Sequence, residues 1–361
     1  MASGGGVDAR VTVTGERQVQ AWVDRVLPPT EKVRPGLWSI AVPIPNNPLR
    51  YVLVYAIELP DGVAVIDTGW PADIAWEAFV AGLGEAGYGV GDVRAVLVTH
   101  HHPDHAGLAA RVREASGAWV GMHAAEAKAL EGNDDASLIR YVRDWLVARG
   151  APPAEAGNGL AIPFDFGDLA ASRPDRLIEH GDAPLAPYVP LRAVWTPGHT
   201  AGHLCFFDES AGLLFSGDHV LPRISPNIAL MDSPGSGADP LSDFLSSLEQ
   251  VAKLPVAEVL PAHEYRFAGL GARVEQLRHH HEVRLDELEC LVVANPGSST
   301  YDLAAGLTWS RPWSQIGQMR QAAVGETLAH LVVLRRRGRV VNHGTTVDRW
   351  RSVTGPNSHA Q

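Results

Sequence analysis

Two cysteines, Cys205 and Cys290, are all that 361 residues contain. They stand far apart and carry no motif, which excludes a disulfide framework, points to a reducing compartment and leaves each expected as a small buried apolar residue. Long hydrophobic runs are missing too, since none approaches the roughly 20 apolar residues that a membrane-spanning helix needs. The first residues, Met1-Ala2-Ser3-Gly4-Gly5-Gly6, lack the basic and apolar regions of a secretory leader and read as a mobile tail. A cytoplasmic location with no membrane partner is therefore expected. Basic charge is in deficit: a formal net charge of −11 opposes capture of a polyanion over the whole surface, which makes nucleic acid a disfavoured partner. What remains, with 45% hydrophobic and 20% charged residues, is a globular chain long enough for one large domain or two moderate ones.

Along the chain, residues 17–27 read as a short amphipathic helix, and residues 37–42, 51–59 and 62–67 as strands, the last two joined at Pro60-Asp61-Gly62. A helix over 72–87, a buried strand over 94–99, a helix over 105–116 and a strand over 118–123 follow. This order belongs to an α/β fold, in which chemistry gathers at the carboxyl ends of strands. From about 124 to 190 the pattern loosens into helices and a Pro- and Ala-rich stretch, expected to be an insertion over one face of the core. In it, Trp145, Phe164 and Phe166 are either core residues or the lining of an apolar lid. Strand-like segments return at 191–196, 204–208, 212–218 and 258–263. Beyond them the chain is mainly helical to about Arg337, without an internal repeat. The expected organisation is a tail and short helix over 1–34, an α/β domain over 35–270, and a helical, winged-helix-like region over 271–361.

The stretch Val98-Thr99-His100-His101-His102-Pro103-Asp104-His105 follows directly on an apolar strand. Imidazole nitrogen and carboxylate oxygen suit Zn²⁺ and its neighbours, and alternate positions can aim His100 and His102 at one point and Asp104 and His105 at another. Three more strand ends supply His199, Asp218 and His263, which completes seven donors, enough for two metals. His279-His280-His281 is not a further ligand set, because consecutive residues on a helix point about 100° apart.

These residues, with Asp67-Thr68-Gly69 upstream, resemble the motifs of the metallo-β-lactamase-fold hydrolase superfamily over roughly residues 36–268. The resemblance implies an αβ/βα sandwich, here with an additional mainly helical C-terminal region. It also implies that His100, His102 and His199 hold one metal, that Asp104, His105 and His263 hold a second, and that Asp218 bridges them. The cofactors it implies are two divalent ions, zinc first, with iron or manganese as alternatives. Asp218 stands where two-zinc β-lactamases commonly have cysteine, so the glyoxalase II, lactonase and nuclease branches are nearer than the true β-lactamases. Such a metal pair lowers the pKa of a shared water from 15.7 toward ~7 and so provides hydroxide at neutral pH. Asp104 is then either a ligand alone or both a ligand and a catalytic group that orients the water and passes a proton to the leaving group.

His101 reads as a bystander, His203 as a hydrogen-bonding support, and His123 as a satisfied strand end. The Pro- and Gly-rich loop after Asp218 suits a substrate wall, with Arg223 and His219 as candidate substrate contacts. Arg335, Arg336, Arg337 and Arg339 are either a phosphate patch or cations complementing a helix end, and the acidic balance favours the second. The expected activity is hydrolysis of an activated acyl bond, a thioester, lactone or ester, in a small and partly apolar molecule. The alternatives are a phosphodiesterase or ribonuclease, an iron-dependent persulfide dioxygenase, and a non-catalytic metal-binding sensor.

Overall fold

The computed structural model describes residues 10–131, 135–156, 169–231 and 237–353. The chain divides into two compact units: the first takes in Met1–Gly132, Phe164–Pro226 and Ser246–Glu275, the second Asn133–Pro163, Asn227–Leu245 and Gln276–Gln361.

The first unit contains two mixed sheets. One has the order β2 (Glu31–Arg34), β3 (Leu37–Pro43), β4 (Tyr51–Leu59), β5 (Gly62–Ile66), β6 (Val93–Leu97), β7 (Trp119–Met122) and β8 (Arg176–Leu177). The other runs β1 (Thr12–Val13), β13 (Phe267–Ala268), β12 (Glu258–Pro261), β11 (Leu213–Gly217), β10 (Leu204–Asp208) and β9 (Leu191–Trp195). Strand β4 shows why they stack. Its sequence is apolar almost throughout because both faces are covered, the arrangement that favours continuous hydrophobic strands. Leu53, Tyr55 and Ile57 pack toward Phe206, Phe215 and Leu260 of the second sheet, whereas Val52, Val54 and Ala56 belong to a cluster with Ala75, Phe79 and Leu83 of the helix Asp73–Ala86. Fully burying such a side chain contributes roughly 1.5–3 kcal/mol, so these layers fix the spacing of the sheets.

At one edge the sheets are joined by backbone hydrogen bonds, from Leu204 N–H to the Thr99 carbonyl at 2.9 Å and from Leu53 N–H to the Ala262 carbonyl at 2.7 Å. The turn expected at Pro60-Asp61-Gly62 is a hairpin, with Leu59 opposite Gly62. Cys205 is buried as expected; Cys290 is exposed, on the outer side of its helix.

The second unit includes the helices Asp135–Ala148, Thr300–Gly306 and Arg320–Arg336, and the hairpin of β14 (Val340–Asn342) and β15 (Trp350–Ser352). Trp145 is buried and joins the core, with the Arg149 guanidinium 5.3 Å from its ring, while Phe164 and Phe166 lie outside the described residues. The helix Arg320–Arg336 departs from the single packed face that Val324, Leu328 and Leu331 suggest: every residue from Ala323 to Leu334 is buried. Arg336 pairs with Asp239, Arg337 with Glu282 and Arg339 with Glu289, so three of the four clustered arginines face carboxylates. No helix among the described residues is long and apolar enough to cross a membrane.

His279 and His280 are exposed, and His281 points inward to His330, with Nδ1 and Nε2 3.2 Å apart. Because His330 Nδ1–H donates to the Glu326 carbonyl at 2.8 Å, its Nε2 is the acceptor and His281 Nδ1 carries the hydrogen. Burial holds His281 down to about 2 and His330 down to about 4, and pushes the Glu326 carboxyl up to about 7. The signs oppose. Depressed histidine pKa values withdraw stability as pH falls below the unfolded value near 6.5, His330 alone by on the order of 3 kcal/mol by pH 4. The raised Glu326 value adds stability at low pH that is lost as pH rises through about 7. Replacing Glu326 with Gln should therefore steepen the loss of protection of amides 320–336 on acidification from pH 6.5 to 4, measured by hydrogen exchange; an unchanged slope contradicts this linkage.

Candidate metal centre

Strand ends bring the seven predicted donors together at the edge where the sheets join. After β6 come His100 and His102, and then the short helix Pro103–Ala106, which starts on proline and carries Asp104 and His105. His199 follows β9, Asp218 follows β11 and His263 follows β12. Gly217, with φ +50°, makes the turn into Asp218; a Cβ there would lie 2.7 Å from His203 Nε2.

Hydrogen bonds on the far side of each ring decide which nitrogen faces the centre. The Asp67 carboxylate can only accept, so it takes His105 Nδ1–H at 2.8 Å and the Thr99 hydroxyl at 2.9 Å. Thr99 Oγ1, having given its hydrogen to Asp67, accepts from His100 Nδ1 at 3.0 Å. His263 Nδ1–H donates to the Tyr51 carbonyl at 2.9 Å. In all three residues Nε2 is the nitrogen turned inward, where it can meet a cation.

There the donors converge. His102 Nδ1 lies 2.9 Å from His100 Nε2 and 3.1 Å from His199 Nε2. Asp218 Oδ1 lies 3.5 Å from His105 Nε2 and 3.2 Å from His263 Nε2, and its Oδ2 lies 3.6 Å from His199 Nε2. Asp104 Oδ2 lies 3.4 Å from His263 Nε2 and 3.7 Å from His105 Nε2. Three groups could each hold a metal ion: His100, His102 and His199; His100, His105 and Asp218; and Asp104, His105 and His263. Ligand atoms that share a tetrahedral ion at 2.0–2.1 Å are about 3.3 Å apart, close to these separations. His105 Nε2, His263 Nε2 and Asp218 Oδ1 are buried without a hydrogen-bond partner. Acceptors so crowded are costly to bury without a cation among them, so the residues fit a metal.

Electrostatics point the same way. Burial pushes His105 down, but Asp104, Asp218 and Asp67 outweigh it and raise it to about 10. His263 is likewise raised, against its burial, by Asp218 and Asp104. Burial would raise Asp218, yet the imidazoles of His263 and His105 hold it well below the usual carboxylate range. Burial and neighbouring imidazoles hold His100 and His102 well below 6.5. The pocket is thus electron-rich on the Asp104–His105–Asp218–His263 side and built of neutral imidazoles on the other.

Supporting residues surround the donors. His203 accepts the Asp218 backbone N–H at Nε2 (3.2 Å) and gives its Nδ1–H to Thr196 (2.9 Å), so it holds Asp218 from behind. His219 is fully buried, its ring 6.0 Å from that of His203. Arg223 is anchored at the Glu264 carboxylate, Nε to Oε1 at 3.2 Å, with its side chain 55% exposed. Asp67 emerges as more than a marker, and Thr99 and Tyr51 are supports that sequence reasoning misses. Nothing signals Tyr51, which acts through its backbone; Thr99 is detectable as the polar residue between strand and cluster.

The metallo-beta-lactamase superfamily profile matches residues 47–263. An acyl-coenzyme A thioesterase of Gallus gallus is 30% identical over 172 residues, 46% of this chain and 55% of that protein. A hydroxyacylglutathione hydrolase of Methylobacillus flagellatus is 29% identical over 198 residues, 55% of this chain and 58% of that protein. The chain thus spans little more than half the length of these two relatives. Among solved structures, a metallo-beta-lactamase family protein of Thermus thermophilus superposes with a TM-score of 0.74 at 29% identity, covering 89% of this chain and 100% of that one.

Asp67 has φ +60°, a region that asparagine also tolerates, so Asp67→Asn should keep the turn while removing one acceptor. Loss of such a support behind a ligating histidine typically costs about 10–100-fold in metal affinity. That weakening is expected in chelator competition, and wild-type affinity in the variant would contradict the assignment.

Proposed function

Because the chain belongs to the metallo-beta-lactamase superfamily, we propose that it is a metal-dependent hydrolase of an activated acyl bond, a thioester, lactone or ester, in a small, partly apolar molecule. The observation that carries this reading is the convergence of His100, His102, Asp104, His105, His199, Asp218 and His263, with three buried acceptor atoms among them unpaired. In it, His100, His102 and His199 would hold one ion, Asp104, His105 and His263 a second, and Asp218, with Oδ2 toward His199 and Oδ1 toward His105 and His263, would serve both. Zinc is the first choice for both ions. When bound, they supply an activated water at neutral pH and polarise the bond under attack.

The protein's own groups do the rest. Asp67, Thr99 and Tyr51 hold the imidazoles with lone pairs inward, so no reorganisation is needed when charge develops. Asp104, whose side chain is 12% exposed, is the carboxylate placed to orient the attacking water and to pass its proton to the leaving group. Arg223 offers a guanidinium to an anionic part of the substrate. The named activities of two relatives, an acyl-coenzyme A thioesterase and a hydroxyacylglutathione hydrolase, support the acyl class. We assign the catalytic domain to residues 35–270, apart from the stretches 133–163 and 227–245 that group with the helical region over 271–361.

The test is a panel of thioesters, lactones, esters, phosphodiesters and RNA, assayed with purified protein before and after chelation and with zinc, iron or manganese restored. Acyl hydrolysis lost on chelation and regained with metal is expected, without phosphodiester cleavage. Asp104→Asn should lower kcat/KM by roughly 10²–10⁴-fold. Cleavage of phosphodiesters or RNA, or inertness toward every acyl substrate with each metal, would overturn the proposal.

A further inference from the structure

One buried carboxylate outside the seven donors touches both of the loops that carry the first metal group. Glu126 sits in the helix Ala124–Ala129 and is 1% exposed. Its Oε2 accepts the His101 backbone N–H at 2.8 Å and faces His101 Nδ1 at 2.5 Å. Its Oε1 accepts the Gly202 backbone N–H at 2.6 Å. His101 lies between His100 and His102, and Gly202 lies three residues after His199.

A carboxylate offers only lone pairs, so the hydrogen in each contact belongs to the nitrogen, and all three are charge-assisted hydrogen bonds. Burial pushes the Glu126 carboxyl up, and the donors of His101 more than reverse this, holding it below its ordinary range. The approach of the second loop depends on glycine: a Cβ at Gly202 would stand 2.7 Å from His123 Nδ1 and 2.8 Å from Glu126 Oε1. His123 is itself tied down, accepting the Ala125 N–H at 3.2 Å and lying 3.4 Å from Glu179. Both sides of the contact are therefore fixed.

What the contact opposes is visible in the neighbouring rings. His102 Nδ1 is within 2.9 Å of His100 Nε2, which is bare because the His100 hydrogen is on Nδ1, and within 3.1 Å of His199 Nε2. With the lone pairs of all three turned to one point, as a shared ion requires, imidazoles this close repel one another, and only restrained backbones keep them there. We infer that Glu126 is a positioning residue that locks the His100/His102 loop to the His199 loop at the separation where these nitrogens meet on one ion, with His101 as its partner. The inference rests on the metal-site reading above. It gives His101 a task that a bystander would not have, and it leaves the Asp104, His105 and His263 group untouched.

The test uses metal-depleted full-length protein titrated with cobalt(II) in competition with a chelator, the two affinities being assigned with His199→Ala and His263→Ala. Glu126→Gln keeps the size but turns an amide NH₂ toward one of the donors. It should weaken the affinity that His199→Ala also removes, by about 10–100-fold, and leave the one that His263→Ala removes within about twofold, with circular dichroism unchanged. His101→Gln, which keeps the backbone donor and alters a side chain 27% exposed, covers the case in which Glu126→Gln does not fold, and should give a smaller loss in the same group. Equal weakening of both groups, or wild-type affinities in both variants, overturns the inference. Failure of the wild-type protein to take up any cobalt would instead sink the metal-site reading itself.

Discussion

The Asp67 carboxylate is the constraint on which the rest of the centre depends. One oxygen accepts the Thr99 backbone N–H at 2.8 Å, and the other accepts both the Thr99 hydroxyl and His105 Nδ1–H. Through His105 it sets one donor of the second group directly, and through Thr99 it sets His100 of the first. A single buried charge therefore chooses the tautomer on both sides, which matters because a histidine with the wrong nitrogen protonated is no ligand at all. Its backbone lies at φ +60°, a cost that the surrounding hydrogen bonds sustain.

The fold places that charge by pairing. Asp67 N–H bonds the Leu97 carbonyl at 2.9 Å, so the ends of β5 and β6 are level, and Val98 N–H continues the ladder to Gly121. Parallel strands deliver their carboxyl ends to the same edge, which is why residues far apart in the chain arrive together. Glycine does the fine placement where a side chain would collide, at Gly217 before Asp218 and at Gly202 beside Glu126.

Much of this is legible in the sequence, and the reason is physical. The seven donors lie just beyond strand ends, and apolar strands followed by His or Asp are conspicuous; hence the donors and the strands of the sandwich stand out. The supports do not. Tyr51 acts through its carbonyl and Gly202 through its N–H, and neither identity announces the act. Glu126 is hidden inside an ordinary alanine-rich helix, because a buried carboxylate there differs from a solvated one only in three dimensions. His101 passes for a bystander for a related reason: its neighbours are ligands, and its own partner lies 25 residues away. The helix Arg320–Arg336 is underestimated because a periodic pattern reports one packed face and is silent on a helix enclosed on all sides.

The backbone bridges from Leu204 to Thr99 and from Leu53 to Ala262 join the two sheets at the rim that bears the donors. His100 follows Thr99 and His263 follows Ala262, so each of these donors is one residue from a rung shared by both sheets. The distance across the pocket is accordingly not set by the loops alone but by the thickness of the apolar layer beneath, where Tyr55 meets Phe215 edge-on at 5.3 Å. Oil, in effect, sets the gauge for the donors: a methylene added to or removed from that layer changes the spacing of the donor atoms, from a place that none of them touches.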